Sequence, residues 1–167
     1  MDKALARTKA AALQLVAFDV DGVFTDGRFL LDEDGQELKV FDTQDGYGIR
    51  RLAESGCKIA IITGRRSGAV SARMRELDVP DVIQGCRNKL SALEKLCAQY
   101  AIELNEVAYV GDDLPDLEAI KAAGLGIAVA NAVDALLESA DFTTTRSGGR
   151  GAVREICDFI VACKDEA

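Results

Sequence analysis

The chain has 167 residues, enough for one adequately cored domain, and at 49% hydrophobic but 5% aromatic it must build that core from Ala, Val, Leu and Ile. A formal net charge of −8 argues against non-specific binding to nucleic acid or to an anionic membrane. The absence of histidine excludes Ser-His and Cys-His nucleophilic pairs and histidine metal ligands. The cysteines (Cys57, Cys86, Cys97, Cys157, Cys163) are odd in number and form no Cys-x-x-Cys, which reads as reduced thiols in a cytoplasmic protein. The first residues are charged at Asp2, Lys3, Arg7 and Lys9 and lack a long apolar run, so neither a signal peptide nor a membrane span is read there.

In chain order, residues 3–12 read as a short helix leading into an apolar strand at 14–19. Residues 28–42 read as a β-hairpin closed by Asp34-Gly35, so the acids at 32–34 belong to its turn. So apolar a hairpin is an aggregation hazard if left bare, and packing against another subunit is its remedy. Asp45 is the expected N-cap of a helix through about residue 54, with Gly56 closing it. Residues 58–63 form a continuous apolar run, as in a buried parallel strand. Ser67 is positioned to cap a helix to about Leu77, Val82-Ile83 is a short strand, and a helix spans 89–100. Strands at 107–110, 125–129 and 141–143 alternate with helices at 114–123, 132–139 and 152–163. The alternation predicts an α/β fold: a doubly wound, mostly parallel, Rossmann-like sheet with a projecting hairpin, one domain over 1–167.

Three apolar strands end in polar clusters: Asp19/Asp21, Thr63 and Asp112/Asp113. In open α/β sheets, ligands bind at the carboxyl ends of the strands. Asp19 and Asp21 are two apart on an extended chain and face one volume, where they repel unless a cation or proton lies between them. A Ca²⁺ loop also begins Asp-x-Asp-Gly, but its glycine and glutamate positions would fall on Phe24 and Leu30. Lys89 opens a helix after Gly85-Cys86-Arg87-Asn88. Singly, Thr63 is a strand-end hydroxyl, Lys89 a surface charge and Asp112-Asp113 a helix cap. Together, carboxylates around Mg²⁺ with one cation and one hydroxyl suit phosphoryl transfer.

Asp19-Val20-Asp21-Gly22-Val23, Thr63-Gly64-Arg65, Lys89 and Gly111-Asp112-Asp113-Leu114-Pro115-Asp116 resemble, in order, the four motifs of the haloacid dehalogenase superfamily. The resemblance implies Asp19 as nucleophile and Mg²⁺ ligand. It implies Asp21 as general acid and base, lending the metal its backbone carbonyl, and Asp112 as the remaining direct ligand. Thr63 and Lys89 would hold the phosphoryl group, and Asp113 or Asp116 would orient the metal's waters or Lys89. Capped members insert a second domain after the first or second motif. The segments between Asp21 and Thr63 and between Thr63 and Lys89 leave no room for one, so the site is expected to be open unless a neighbour covers it.

Val23-Phe24-Thr25-Asp26-Gly27, the hairpin, Asp45-Gly46-Tyr47-Gly48-Ile49-Arg50, Gly64-Arg65, Arg73 and the run from Gly148 to Glu155 are similar to the family of 3-deoxy-D-manno-octulosonate (Kdo) 8-phosphate phosphatases. That resemblance implies a Mg²⁺-dependent homotetramer. Its hairpins assemble the oligomer, a neighbouring subunit covers each site, and the substrate is a small sugar acid phosphate on the way to lipopolysaccharide. Implied substrate contacts are Asp21, Asp42, Thr43, Gln44, Asp45, Gly46, Arg50, Arg65, Arg73 and Lys89. The three arginines are candidate anion binders or members of solvated helix faces. Where members of the family often carry Asn-Val-Arg before Asp-Gly, this chain has Asp42-Thr43-Gln44. It stops at Lys164-Asp165-Glu166-Ala167, so gating by a long tail is not expected. The alternatives are a capless phosphatase for a sialic acid or deaminated (KDN) 9-phosphate, and a phospho-accepting signalling domain. In the latter, the acid pair precedes a lone acceptor on a later strand. Here the acceptor is on the first long strand with a second acid two residues on.

Overall fold

The computed structural model describes residues 3–166, so Asp2 and Ala167, named above, lie outside it. Strand β1 (Leu15–Phe18) lies at the centre of the molecule, every residue fully buried. It pairs in parallel with β4 (Lys58–Thr63) on one side and β6 (Val107–Gly111) on the other, Phe18 lying opposite both Ile61 and Val110. With β5 (Asp81–Gln84), β7 (Leu125–Ala128) and β8 (Phe142–Thr143), the described residues form a six-stranded parallel sheet of order β5-β4-β1-β6-β7-β8. The chain runs outward from β1 to β5, then returns to the other side of β1 with β6. The order therefore reverses at the β1/β6 junction, the place where such sheets open a crevice at their carboxyl ends.

Small aliphatic side chains suit this arrangement, because strands covered on both faces need apolar groups at every position. Helix α7 (Ala152–Asp165) packs against α1 (Lys3–Ala11) and α2 (Thr43–Glu54). Helix α5 (Leu117–Ala122) packs against α4 (Lys89–Tyr100) and α6 (Asp134–Ser139). Helix α3 (Gly68–Glu76) joins β4 to β5. The hairpin is present as β2 (Leu30–Leu31) and β3 (Glu37–Leu38), antiparallel, with Leu30, Leu31, Leu38 and Val40 all more than half exposed. No cap domain interrupts the described chain.

Local details depart from the expectations. Helix α2 starts three residues early: its N-cap is Asp42, whose carboxylate accepts the Gln44 N–H at 2.7 Å. Ser67 precedes α3 but makes no side-chain cap, and its own N–H is taken by Gln84 Oε1 at 2.6 Å. The helix expected over 114–123 is a 3₁₀ turn, Leu114–Asp116, followed by α5, because Pro115 and two capping aspartates tighten its first turn. The helix expected from residue 132 begins at Asp134.

Asp45, relieved of capping its own helix, points inward and is 1% exposed. Its Oδ1 accepts the Arg154 N–H at 2.8 Å, at the start of α7, where the N-cap is Gly151 and has no side chain to offer. Gly48 brings the two helices this close, since a Cβ there would meet Arg154 Cα at 3.1 Å. Burial pushes the Asp45 carboxyl up to about 6, beyond what the Arg154 N–H offsets, with Asp42 adding to the rise. The folded state thus holds the Asp45 proton more tightly than the unfolded chain does. The stability this gives is complete below the ordinary carboxylate pKa and is lost as pH rises through about 6. Asp45→Asn, which keeps an acceptor for Arg154, is expected to melt higher than wild type by roughly 2–6 °C at pH 8. The gap should narrow below pH 6 and close only below the ordinary carboxylate pKa, near pH 3.8, in a series of calorimetric scans.

Candidate active site

Asp19 directly follows β1 and is held there by its N–H, which donates to Val110 O at 2.9 Å. The chain then turns sharply, with the N–H groups of Val23, Phe24 and Thr25 all converging on Val20 O. Gly22 makes this turn possible twice over. Its φ is +83°, and a Cβ there would lie 1.9 Å from Asp112 Oδ2. Thr63 ends β4, Lys89 opens α4 and Asp112 follows β6, so four elements deliver their polar ends to one cavity of about 550 Å³. Asp19, Asp21, Thr63, Arg65, Lys89, Asp112, Asp113 and Asp116 all line it.

Lys89 is no surface charge: its side chain is 4% exposed, with Nζ 2.9 Å from Asp19 Oδ2 and 2.6 Å from Asp116 Oδ1. Asn88 caps α4 by accepting the Ser91 N–H at 2.9 Å, which fixes where the lysine starts. Asp116 is fully buried and accepts from four donors. Besides Lys89 these are Tyr109 Oη at 2.8 Å and the N–H groups of Asp112 and Asp113 at 3.2 and 3.3 Å. Asp113 instead caps the 3₁₀ turn through the Leu114 N–H at 2.8 Å. Of the two acids left open by the sequence, it is Asp116 that orients Lys89.

Burial pushes the Asp19 carboxyl up to about 6, with the Asp116 charge adding to the rise and Lys89 opposing it. Asp112 goes to about 7, again through burial first and then the charges of Asp19, Asp116 and Asp113. Burial works against the Lys89 charge, but Asp19 and Asp116 outweigh it and hold its pKa above the ordinary value. One ammonium among three carboxylates leaves an excess of negative charge.

One oxygen each from Asp19, Asp112 and Asp116 lie within 4.8 Å of one another, and Asp19 Oδ1 is buried with no hydrogen-bond partner. Asp116 is already saturated by donors, so Asp19 and Asp112 are the side chains that fit a hard, oxygen-seeking cation such as Mg²⁺. The carboxylate of Asp21 lies outside this group. It pairs with Lys39 from the hairpin, with Arg65 Nε 4.0 Å away.

Arg65 lines the cavity, pairs with Glu37 at 2.7 Å and stacks over Phe29, its guanidinium carbon 4.4 Å from the ring centroid. The remaining expected substrate residues do not line it. Asp42, Thr43, Gln44, Asp45 and Gly46 form the first turn of α2 and its cap. Arg73 belongs to no freely solvated face: it pairs with Glu76 at 2.9 Å and packs over Gly46. Arg50 donates to Glu76 O at 3.1 Å, and Gln44 accepts from Arg146 at 3.4 Å. Sequence reasoning missed Lys39, Glu37 and Tyr109. A lone tyrosine inside an apolar strand was a usable signal, because its buried hydroxyl must find a partner. The hairpin, expected to project away, also turns two charged side chains onto its own site.

A parallel sheet with its chemistry at the β1/β6 switch point, two aspartates after β1 and a buried lysine held between carboxylates define a haloacid dehalogenase-like hydrolase, and the profile of that family matches residues 79–156. Kdo 8-phosphate phosphatase KdsC from Salmonella typhi is 45% identical over 163 residues, 96% of this chain and 87% of that protein. The crystal structure of the Moraxella catarrhalis Kdo 8-phosphate phosphatase, in complex with magnesium, phosphate and Kdo, superposes with a TM-score of 0.97. It is 43% identical, covering 99% of this chain and 95% of that one. The cobalt-bound Haemophilus influenzae enzyme, at 34% identity and 94% and 92% coverage, gives 0.91. The chain belongs to the Kdo 8-phosphate phosphatase family.

The two acids after β6 separate in stability. Asp116→Ala strands Tyr109, two backbone N–H groups and half of Lys89's partnership, for an expected loss of roughly 2–4 kcal/mol. Asp113→Ala removes one cap, about 1 kcal/mol. Urea unfolding of both variants measures the difference, and an equal or reversed order contradicts the assignment.

Proposed function

We propose that this chain hydrolyses the phosphate monoester of 3-deoxy-D-manno-octulosonate 8-phosphate to the free sugar acid and phosphate. The reading includes a Mg²⁺ requirement, a cytoplasmic setting and a place in lipopolysaccharide synthesis. It takes the whole chain as one phosphatase domain. The observation that carries it is Lys89 clamped between Asp19 and Asp116 beside the bare Asp19 Oδ1. Kinship with phosphatases of this substrate gives it the sugar.

On this reading a carboxylate oxygen of Asp19 attacks phosphorus, and the bond to the departing sugar oxygen breaks as the Asp19–phosphorus bond forms. Asp21 gives that oxygen its proton. Asp21 then takes a proton from water, which attacks the phosphoaspartate, breaks its phosphorus–oxygen bond and returns Asp19. Thr63 and Lys89 hold the phosphoryl oxygens, and Asp116 holds Lys89. Mg²⁺, held by Asp19, Asp112 and the Asp21 carbonyl, supplies charge neutralisation between nucleophile and phosphate. Arg65, one of the cations that line the cavity, is assigned to the sugar acid carboxylate. Asp42, Thr43, Gln44, Asp45, Gly46, Arg50 and Arg73 lie outside the cavity of their own chain. The reading therefore assigns the exposed Thr43, Gln44 and Arg50, with Asp42 and Arg73 beside them, to substrate recognition at a neighbour's site within a homotetramer joined through the hairpin, and leaves the buried Asp45 and Gly46 to shape that turn of α2.

Phosphate release from Kdo 8-phosphate is expected to require Mg²⁺, to exceed release from a sialic acid 9-phosphate, and to fall to background in Asp19→Asn. Full turnover in that variant removes the nucleophile, and a preference for the nine-carbon substrate moves the chain to the sibling activity. Mg²⁺ is also expected to raise the melting temperature of wild type and not of Asp19→Asn. Light scattering at micromolar concentration should give a tetramer, and Leu38→Glu with Val40→Glu should shrink it. A monomeric wild type overturns the neighbour's role.

A further inference from the structure

Asp21 carries one contact that its role as proton carrier does not by itself require. Lys39 follows β3, where alternate side chains face opposite ways. Leu38 and Val40 face out, 56% and 76% exposed. Glu37 and Lys39 face the site, and the Lys39 side chain is completely buried. Its ammonium pairs with Asp21 Oδ1 and lies 3.2 Å from Glu37 Oε1. Glu37 Oε2 lies 2.7 Å from Arg65 Nη2, and Arg65 Nε is 4.0 Å from Asp21 Oδ2. Asp21, Lys39, Glu37 and Arg65 thus form a closed ring of alternating charge.

A buried ammonium without partners is costly, so Lys39 stays with its two carboxylates. Of those two carboxylates Asp21 is the more exposed, at 24% of its side chain against 14% for Glu37. Lys39 occupies Oδ1, whereas Arg65 stands beyond hydrogen-bond distance of Oδ2, which leaves Oδ2 as the oxygen open to carry a proton. We propose that Lys39 is a positioning residue for proton transfer to the leaving oxygen, fixing the Asp21 carboxylate so that Oδ2 meets the substrate. The inference rests on Asp21 being the proton carrier of the phosphatase proposed above.

The test is the dependence on leaving group. An alkyl phosphate such as Kdo 8-phosphate departs as an alkoxide that must be protonated, whereas p-nitrophenyl phosphate departs as a stable phenolate. The ratio kcat/KM reports the steps up to the alcohol's departure. In full-length protein with Mg²⁺, Lys39→Met is expected to lower kcat/KM for Kdo 8-phosphate roughly 10- to 100-fold, within the range one proton-transfer group contributes, and for p-nitrophenyl phosphate less than about threefold. Equal losses on both substrates would make Lys39 a hairpin anchor only, and no loss on either would make the contact idle. Should Lys39→Met fail to fold, Lys39→Arg, which keeps the charge and shifts its position, is judged by the same ratio of losses. Wild type inactive on both substrates overturns the phosphatase reading and this inference with it. Wild type active with an unchanged ratio in the variants overturns only the role of Lys39.

Discussion

A single buried ammonium holds the strand ends together. Lys89 comes from α4, Asp19 from the end of β1 and Asp116 from the turn after β6, and the three meet within 2.6–2.9 Å. Breaking a buried pair of this kind by removing one partner costs about 3–5 kcal/mol, because a charge is left without water or counterion. The lysine therefore fixes the spacing of the two strand ends, whatever it does for a ligand. It neutralises only part of the acid charge, and the carboxyls of Asp19 and Asp112 are raised first by their burial and then by the remainder, carried on neighbouring acids. A divalent cation removes that remainder, so fold stability and metal requirement share one cause.

The loops around this pair are closed by backbone contacts. Asn131, in the loop after β7, donates to Gly22 O at 3.0 Å and accepts the Gly148 N–H at 2.6 Å. One side chain thus ties the turn after β1 to the loop before α7. The turn after Asp19 is held from both sides without covering the cavity, which suits a site over which the described residues place no cap domain.

Much of this was legible because it is written locally. Continuous apolar runs gave β1, β4 and β6. Polar residues at the ends of those runs gave Asp19, Thr63 and Asp112, and Asn88 before Lys89 gave the start of α4. Mistakes arose where two local signals competed. Asp42 and Asp45 are both plausible caps, and only the bare Gly151 at the start of α7, more than 100 residues away, decides that Asp45 turns inward. Pairings such as Lys39 with Asp21, or Lys89 with Asp116 rather than Asp113, have no periodicity to betray them. They depend on how separate elements converge, which becomes visible only once the sheet order is known.

The division of labour between cavity and surface follows from the same geometry. Groups that act on phosphorus have to be placed to a few tenths of an ångström, and Asp19, Thr63, Lys89 and Asp112 each sit at a strand end or helix start anchored in the sheet. Groups that recognise a long, flexible sugar acid can tolerate more play, and the residues expected to do so lie on α2 and α3, beyond reach of their own chain's cavity. Strand β3 joins the two requirements. Just after it Lys39 reaches Asp21, with Glu37 bracing Lys39 and Arg65, while Leu38 and Val40 face out, where a neighbour would hide them. Under the proposed assembly, covering Leu38 and Val40 presses Glu37 and Lys39 onto Asp21 and Arg65. The contact that brings in the partner's recognition residues then also holds the proton carrier in place, because successive side chains of one strand cannot face the same way.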